Sequence, residues 1–292
     1  MDYKLEQTYI LDNCKSFKVK DIFDCGQCFR WDEQEDGSYT GIFGNNVLNV
    51  KQEPNKITIS GICDGDIKEV CNNYFDLDRD YEKIKDKLSQ VDDYLKESIK
   101  YGEGIRILNQ DLWEMIISFI VSANNNIPRI KGIINRMSQK YGNKIEFHGK
   151  EYYTFPTVEA LSTASIEDLR ALGLGFRDKY IYNTTKKIKS GELDLKHMKQ
   201  EQDTKQMRNE LLTLSGVGPK VADCILLFST LKRFDVFPID VWVRRVMNDL
   251  YIHNDDENKV NKKEIEKLAK EKYGDLEGIA QQYLFYWKRE NN

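Results

Sequence analysis

The chain has 292 residues, 40% of them hydrophobic and 32% charged, which provides apolar surface for one large or two medium globular domains and excludes a disordered chain. A formal net charge of −4 and a pI near 5.6 are unlike a uniformly basic, non-specific nucleic-acid binder. There is no run of about 18 apolar residues, and Met1 to Glu6 lack the basic start and apolar core of a secretory leader, so a soluble, cytoplasmic, monomeric protein with no membrane partner is expected.

From Tyr9 to Ile62 short β-rich pieces alternate with turn signals. Phe17-Lys18-Val19, Cys28 to Trp31, Tyr39 to Phe43, Val47 to Val50 and Ile57 to Ile59 predict antiparallel strands, broken at Glu35-Asp36-Gly37 and Gly44-Asn45-Asn46. Asp64 to Lys100 reads as polar helices. Gly102 and Gly104 mark a boundary, dividing the chain into a β-rich domain, 1–103, and an α-helical domain, 104–292. The fold class is thus α+β and mainly α.

Asp111 is placed to cap a buried helix over Leu112 to Ala123, closed by Asn124-Asn125-Asn126, which in themselves are ordinary capping and loop residues. Ser165 and Asp168 make a capping-box pattern on a short helix that ends in a glycine loop, Gly173-Leu174-Gly175-Phe176-Arg177.

The most informative stretch runs from Leu211 to Val246. In Leu214-Ser215-Gly216-Val217-Gly218 both glycines can take positive φ and turn backbone N–H groups towards an anion, and Pro219 opens a helix to about Leu231. On that helix Lys220 and Cys224 share a face. Pro238-Ile239-Asp240 precedes another helix, and the plain reading of Asp240 is an N-cap worth roughly 1 kcal/mol. The plain reading of Lys220 is a phosphate-binding or solvated lysine. Near the end, Gly274 stops a helix and Asp275 is placed to cap the next, Leu276 to about Trp287, with Gln281 and Phe285 four residues apart on one face.

Charge is unevenly spread. Residues 170–245 hold fifteen Lys/Arg and nine Asp/Glu, a local +6 that leaves −10 for the rest. Six cysteines in a chain of this length point to a reducing compartment, and the lone Cys25-Gly26-Gln27-Cys28 pair with three histidines is too little for a zinc site. Neither metal nor organic cofactor is expected.

The hairpin, the lysine and the Pro-x-Asp segment, in this order, resemble the helix-hairpin-helix, Gly/Pro-Asp motif of DNA base-excision glycosylases. G-V-G-P-K-V-A-D-C (Gly216 to Cys224) is most similar to the 8-oxoguanine DNA glycosylase/AP lyases. G-Q-C-F-R-W (Gly26 to Trp31), N-N-N-I-P-R-I (Asn124 to Ile130), G-L-G-F-R (Gly173 to Arg177) and the A-x-x-x-L-F pattern ending at Phe285 extend the likeness over nearly the full chain. No cysteine cluster follows Asp240, unlike the iron–sulfur relatives.

That resemblance implies duplex DNA containing 8-oxoguanine, opposite cytosine, as the partner. It implies Lys220 as the Schiff-base nucleophile and Asp240 as the carboxylate that stabilises oxocarbenium character at C1′. Cys224 and Phe285 would sandwich the extruded base, the Gly26 carbonyl would read its N7–H, and Gln281 its Watson–Crick edge. Phe176 would be the wedge, Gly216 and Gly218 the phosphate anchor, and Asn124, Arg129 and Arg177 the groups around the orphaned cytosine. Trp242 departs from the histidine of eukaryotic relatives and is kept as a DNA contact. Partial burial and the positive helix end are expected to lower the Lys220 pKa. A monofunctional alkylated-base glycosylase and a non-enzymatic hairpin DNA-binding protein are the alternatives; Lys220 speaks against the first, and Asp240, Gln281 and Phe285 against the second.

Overall fold

The structure, a computed structural model, describes residues 5–12, 14–201, 203–256 and 259–291, so Met1 to Lys4 of the leader argument lie outside it. The period-two stretches form a five-stranded antiparallel sheet of β1 (Glu6–Asp12), β2 (Trp31–Glu33), β3 (Tyr39–Phe43), β4 (Asn46–Glu53) and β5 (Lys56–Ile62), in spatial order β1-β5-β4-β3-β2. In β5, Ile57 and Ile59 turn inward and Lys56, Thr58 and Ser60 do not, the alternation a half-covered sheet requires.

Two strand expectations fail. Phe17-Lys18-Val19 does not pair; Val19–Asp24 is a short helix, α1, whose Val19, Ile22 and Phe23 are buried at helical spacing, with Phe23 stacked on Trp31 at 4.0 Å. Of Cys28 to Trp31 only Trp31 enters a strand, because Gly26 at φ +89° turns the chain and Cys28 to Arg30 run irregularly between the domains.

Three helices follow, α2 (Ile67–Tyr74), α3 (Tyr81–Ser89) and α4 (Asp93–Tyr101), each opened by an aspartate, Asp66, Asp80 or Asp92, that accepts from backbone N–H groups of the first turn. Leu88, Leu95 and Ile99 of α3 and α4 belong to the core of the helical part, whereas Leu108 belongs to the core under the sheet, so packing interleaves across position 103.

The helical part continues with α5 (Leu112–Ser122) and α6 (Ile127–Tyr141), then α7 (Val158–Leu161), α8 (Ile166–Ala171), α9 (Asp178–Lys189), α10 (Leu195–Met198), α11 (Thr204–Leu211), α12 (Pro219–Phe228), α13 (Val241–Met247), α14 (Lys262–Tyr273) and α15 (Glu277–Glu290). Asp111 caps α5 through Glu114 N at 3.0 Å, and Ser165 with Asp168 closes the capping box on α8. Asp275 does not cap α15; its carboxylate pairs with Lys270 at 2.9 Å, and a single 3₁₀ turn over Gly274–Leu276 leads into the helix.

After α6, β6 (Lys144–Phe147) and β7 (Lys150–Tyr153) make a hairpin that the sequence reading passes over. His148 and Gly149, both at positive φ, form its two-residue turn, and Phe147 packs on Ile42 and Val47 of the sheet, joining the two parts. None of the six cysteines is in a disulfide, and no helix among the described residues is long and apolar enough to cross a membrane.

Candidate active site

α11, the turn Leu214 to Gly218 and α12 form the helix-hairpin-helix. Gly216 takes φ +83°, and a Cβ there would lie 2.8 Å from the Tyr180 ring of α9, so glycine is required on both counts. Gly218 departs from the expectation of positive φ. It is extended at φ −94°, ψ 179°, and what it contributes is space, since nothing lies within 4 Å of a Cβ built on it. No side chain caps α12, so its first N–H groups stay open to an anion beside exposed Gly218 and Pro219. Thr184 braces the turn from α9 by donating to Ser215 O at 3.0 Å.

Past the hairpin the first turn of α12 meets the start of α13 in an open cleft of about 700 Å³, lined by Lys220 and Val221, by Ile239 to Trp242, by Gly26 and Phe29, by Ser122 to Asn125 and by Phe285 and Arg289. Asp240 is the N-cap of α13, accepting from Val243 N at 2.7 Å. Capping and a functional role are therefore compatible, because the cap fixes the carboxylate at the cleft wall. Asp240 is the lone acidic side chain among the lining residues, against Lys220, Arg244, Lys262 and Arg289. An acidic protein thus presents a locally positive cleft to a polyanion.

Lys220 lies over the Phe119 ring, 5.6 Å from its centroid, with Cys224 one helical turn along the same face of α12. The expectation of a lowered lysine pKa is reversed. Interaction with the Cys224 sulfur first, and with the Asp240 carboxylate after it, holds the Lys220 pKa above its ordinary range, with burial working against them. Burial pushes the Cys224 thiol up to about 11, so it is a neutral, polarizable group. Cys224 is buried and is not among the residues that line the cleft. Gln281 is likewise buried, and its Oε1 has no hydrogen-bond partner among the described residues.

Across the cleft the Gly26 turn is held from four sides. Gln27 donates to Ile22 O and Arg106 O and accepts from Leu108 N, while Gln110 donates to Gln27 O. Gln282 donates to Cys25 O at 2.5 Å. No described residue donates to the Gly26 carbonyl itself, which leaves that acceptor for a ligand.

The other residues expected to contact DNA flank the cleft. Phe176 is 58% exposed, packed edge-on to Tyr180. Arg129 is exposed at the start of α6 with one contact, to Gly173 O at 3.3 Å. Arg177 is 2% exposed, and its donors go to the carbonyls of Ala123, Asn124 and Leu174 under the Phe176 ring. Of the three asparagines, Asn125 donates to Val121 O and Asn126 caps α6, the ordinary roles; Asn124, at φ +50°, lines the cleft. Trp242 lines it too, with a buried Nε1 that has no partner among the described residues. Arg289, Gln282 and Arg244 were not singled out from sequence, since one charged or amide residue in a helix carries no distinguishing pattern.

This assembly of hairpin, lysine and capping aspartate defines a class of DNA-repair protein. Residues 10–116 match the model of the 8-oxoguanine DNA glycosylase N-terminal domain, and residues 117–273 that of the HhH-GPD superfamily of base excision DNA repair proteins. The chain is 33% identical to a probable N-glycosylase/DNA lyase of Methanothermobacter thermautotrophicus, over 75% of its length and 74% of the relative's, and 32% identical to the N-glycosylase/DNA lyase of Saccharomyces cerevisiae, over 84% and 71%. The crystal structure of Clostridium acetobutylicum 8-oxoguanine glycosylase/lyase, in complex with double-stranded DNA containing cytosine opposite 8-oxoG, superposes with a TM-score of 0.91 at 46% identity, over 100% of both chains. The chain belongs to the N-glycosylase/DNA lyase family within the HhH-GPD superfamily, and is a base excision repair enzyme.

Proposed function

We propose that this enzyme removes 8-oxoguanine from duplex DNA and then cleaves the resulting abasic site. The observation that carries the reading is the convergence of Lys220, Asp240, Gly26 and Phe285 on one cleft, with buried Cys224 one turn along α12 from Lys220. Excision requires the nucleotide to leave the stack, at a cost of a few kcal/mol, and exposed Phe176 is suited to fill the gap while the hairpin holds a phosphate. The base then lies between Phe285 and Cys224.

Oxidation at C8 turns N7 from an acceptor into an N–H donor, so an unclaimed carbonyl at Gly26 accepts from the lesion and opposes the lone pair of guanine. The unpaired Gln281 Oε1 accepts from the N1–H and exocyclic amine edge. As the C1′–N9 bond breaks, the base takes the bonding pair and Asp240 stabilises the positive charge left at C1′. The Lys220 ammonium gives a proton to the departing base, which holds the pair from the broken bond, and the neutral amine bonds to C1′. The C1′–O4′ bond breaks with a proton from the nitrogen passing to O4′ to give the iminium, a C2′ proton is lost to water, and the C3′–O bond breaks with the pair leaving on phosphate. Incubation with duplexes bearing 8-oxoguanine, 3-methyladenine or only normal bases tests this. Release of 8-oxoguanine is expected; release of 3-methyladenine alone, or of no base, overturns it.

A further inference from the structure

The cleft holds a cation for which the chemistry above has no use. Arg289, on the last turns of α15, donates from Nε to Glu290 at 2.9 Å and from Nη2 to Asp24 O at 2.5 Å. Nη1 has no acceptor among the described residues. It points at the reading loop, for a Cβ built on Gly26 would lie 3.4 Å from Nη1 and 3.6 Å from the Phe285 ring. Guanidinium and Phe285 ring are themselves neighbours, 5.5 Å apart. Arg289 is thus fixed to the loop through Asp24 with one N–H group directed to where the edge of a base stacked on Phe285 meets Gly26.

We propose that Arg289 is a second determinant of lesion specificity, donating from Nη1 to the C8 carbonyl oxygen of the extruded base. The inference rests on the assignment of 8-oxoguanine to this cleft. N7 and C8 are adjacent in the five-membered ring, so with N7–H on the Gly26 carbonyl the new oxygen O8 lies at the next position along the same edge. Of the four cations lining the cleft, Arg289 is the one in contact with Gly26; Lys220 sits over Phe119 and beside Cys224. Guanine presents C8–H at that position, which cannot accept from Nη1. The protein then reads oxidation twice, once through the proton gained at N7 and once through the oxygen gained at C8.

The test is a binding cycle with four duplexes: 8-oxoguanine, 7-deaza-8-oxoguanine (which keeps O8 and lacks N7–H), guanine and an abasic-site analogue, the base-bearing ones carrying 2′-fluorine to resist excision. Arg289→Met is expected to weaken binding of both O8-bearing duplexes by about 10- to 100-fold, the effect of losing a charge-assisted hydrogen bond, and to leave the guanine and abasic duplexes unchanged. Arg289→Lys, which keeps a donor, should retain part of the preference and shows that loss in the methionine variant is not a folding defect. A loss that disappears on 7-deaza-8-oxoguanine overturns the proposal, because Arg289 would then act only by placing the Gly26 carbonyl. Equal loss on all four overturns it in favour of a phosphate contact. If the unsubstituted chain prefers 8-oxoguanine and Arg289→Met keeps that preference, this proposal alone fails; no preference in the unsubstituted chain overturns the lesion assignment itself.

Discussion

Gln282 of α15 donates a hydrogen bond to the carbonyl of Cys25 at 2.5 Å, joining the last helix to the peptide that precedes Gly26. Both residues are buried, and the bond spans nearly the whole sequence. It fixes the peptide that precedes Gly26 against the helix that carries Phe285, the two residues proposed to read and to stack on the base.

Gln282→Leu leaves the Cys25 carbonyl buried without a donor and is expected to cost about 1–3 kcal/mol of stability. It should lower excision of 8-oxoguanine while sparing cleavage of a preformed abasic site, which has no base for Gly26 to read. Parallel glycosylase and lyase assays with thermal denaturation check this; equal loss of both activities in a folded variant would contradict it.

The two arginines expected to read the orphaned cytosine separate in the structure. Arg129 is exposed and nearly free, and a planar fork aimed at the N3 and O2 acceptors of cytosine gives about 1–3 kcal/mol per good contact. Arg129→Ala should therefore flatten a preference for cytosine opposite the lesion and leave stability within about 0.5 kcal/mol of the unsubstituted chain. Arg177→Ala removes a buried guanidinium that holds the Ala123 and Asn124 carbonyls, and should lower stability by about 1–3 kcal/mol and weaken excision opposite every base. Rates opposite the four bases at one salt concentration decide; a selective loss of cytosine preference in Arg177→Ala with full stability would reverse the assignment.

Glu114, at the third position of α5, is buried beside Arg30 at 3.8 Å, and burial raises its carboxyl pKa to about 7. The folded state therefore holds a proton that the unfolded state releases near pH 4.3, and this group's contribution to stability falls as pH rises between those values. Glu114→Gln mimics the protonated form. It is expected to match the unsubstituted chain near pH 4 and to exceed it by about 1–3 kcal/mol at pH 8, measured by denaturant unfolding. A variant less stable at pH 8 would mean that the ionised carboxylate is needed by Arg30.

What was legible in the chain was what rests on local chemistry. Asp111, Ser165 with Asp168, and Asp240 cap the helices their positions announce, because a cap needs only the side chain and the next few N–H groups. Gly216, Lys220 and Asp240 were legible as a motif. Contacts fixed by distant packing were not. Phe17-Lys18-Val19 has strand-like residues, yet burial under the sheet makes Val19 the start of a helix, and the hairpin at His148-Gly149 gives a short signal inside a helical region. Lys220 read alone promises a lowered pKa, whereas the Cys224 sulfur and the Asp240 carboxylate reverse the sign once folding brings them to it. Gln282 and Arg289 gain meaning only when α15 is laid against Cys25 and Gly26.

The account stands most directly on Lys220 as the group that bonds to C1′. Borohydride reduction during reaction with an 8-oxoguanine duplex converts the iminium into a stable amine, so the unsubstituted chain is predicted to give a covalent protein–DNA adduct that peptide mapping places at Lys220. Lys220→Gln is predicted to give none while still binding the duplex. An adduct of undiminished yield in Lys220→Gln would contradict the account.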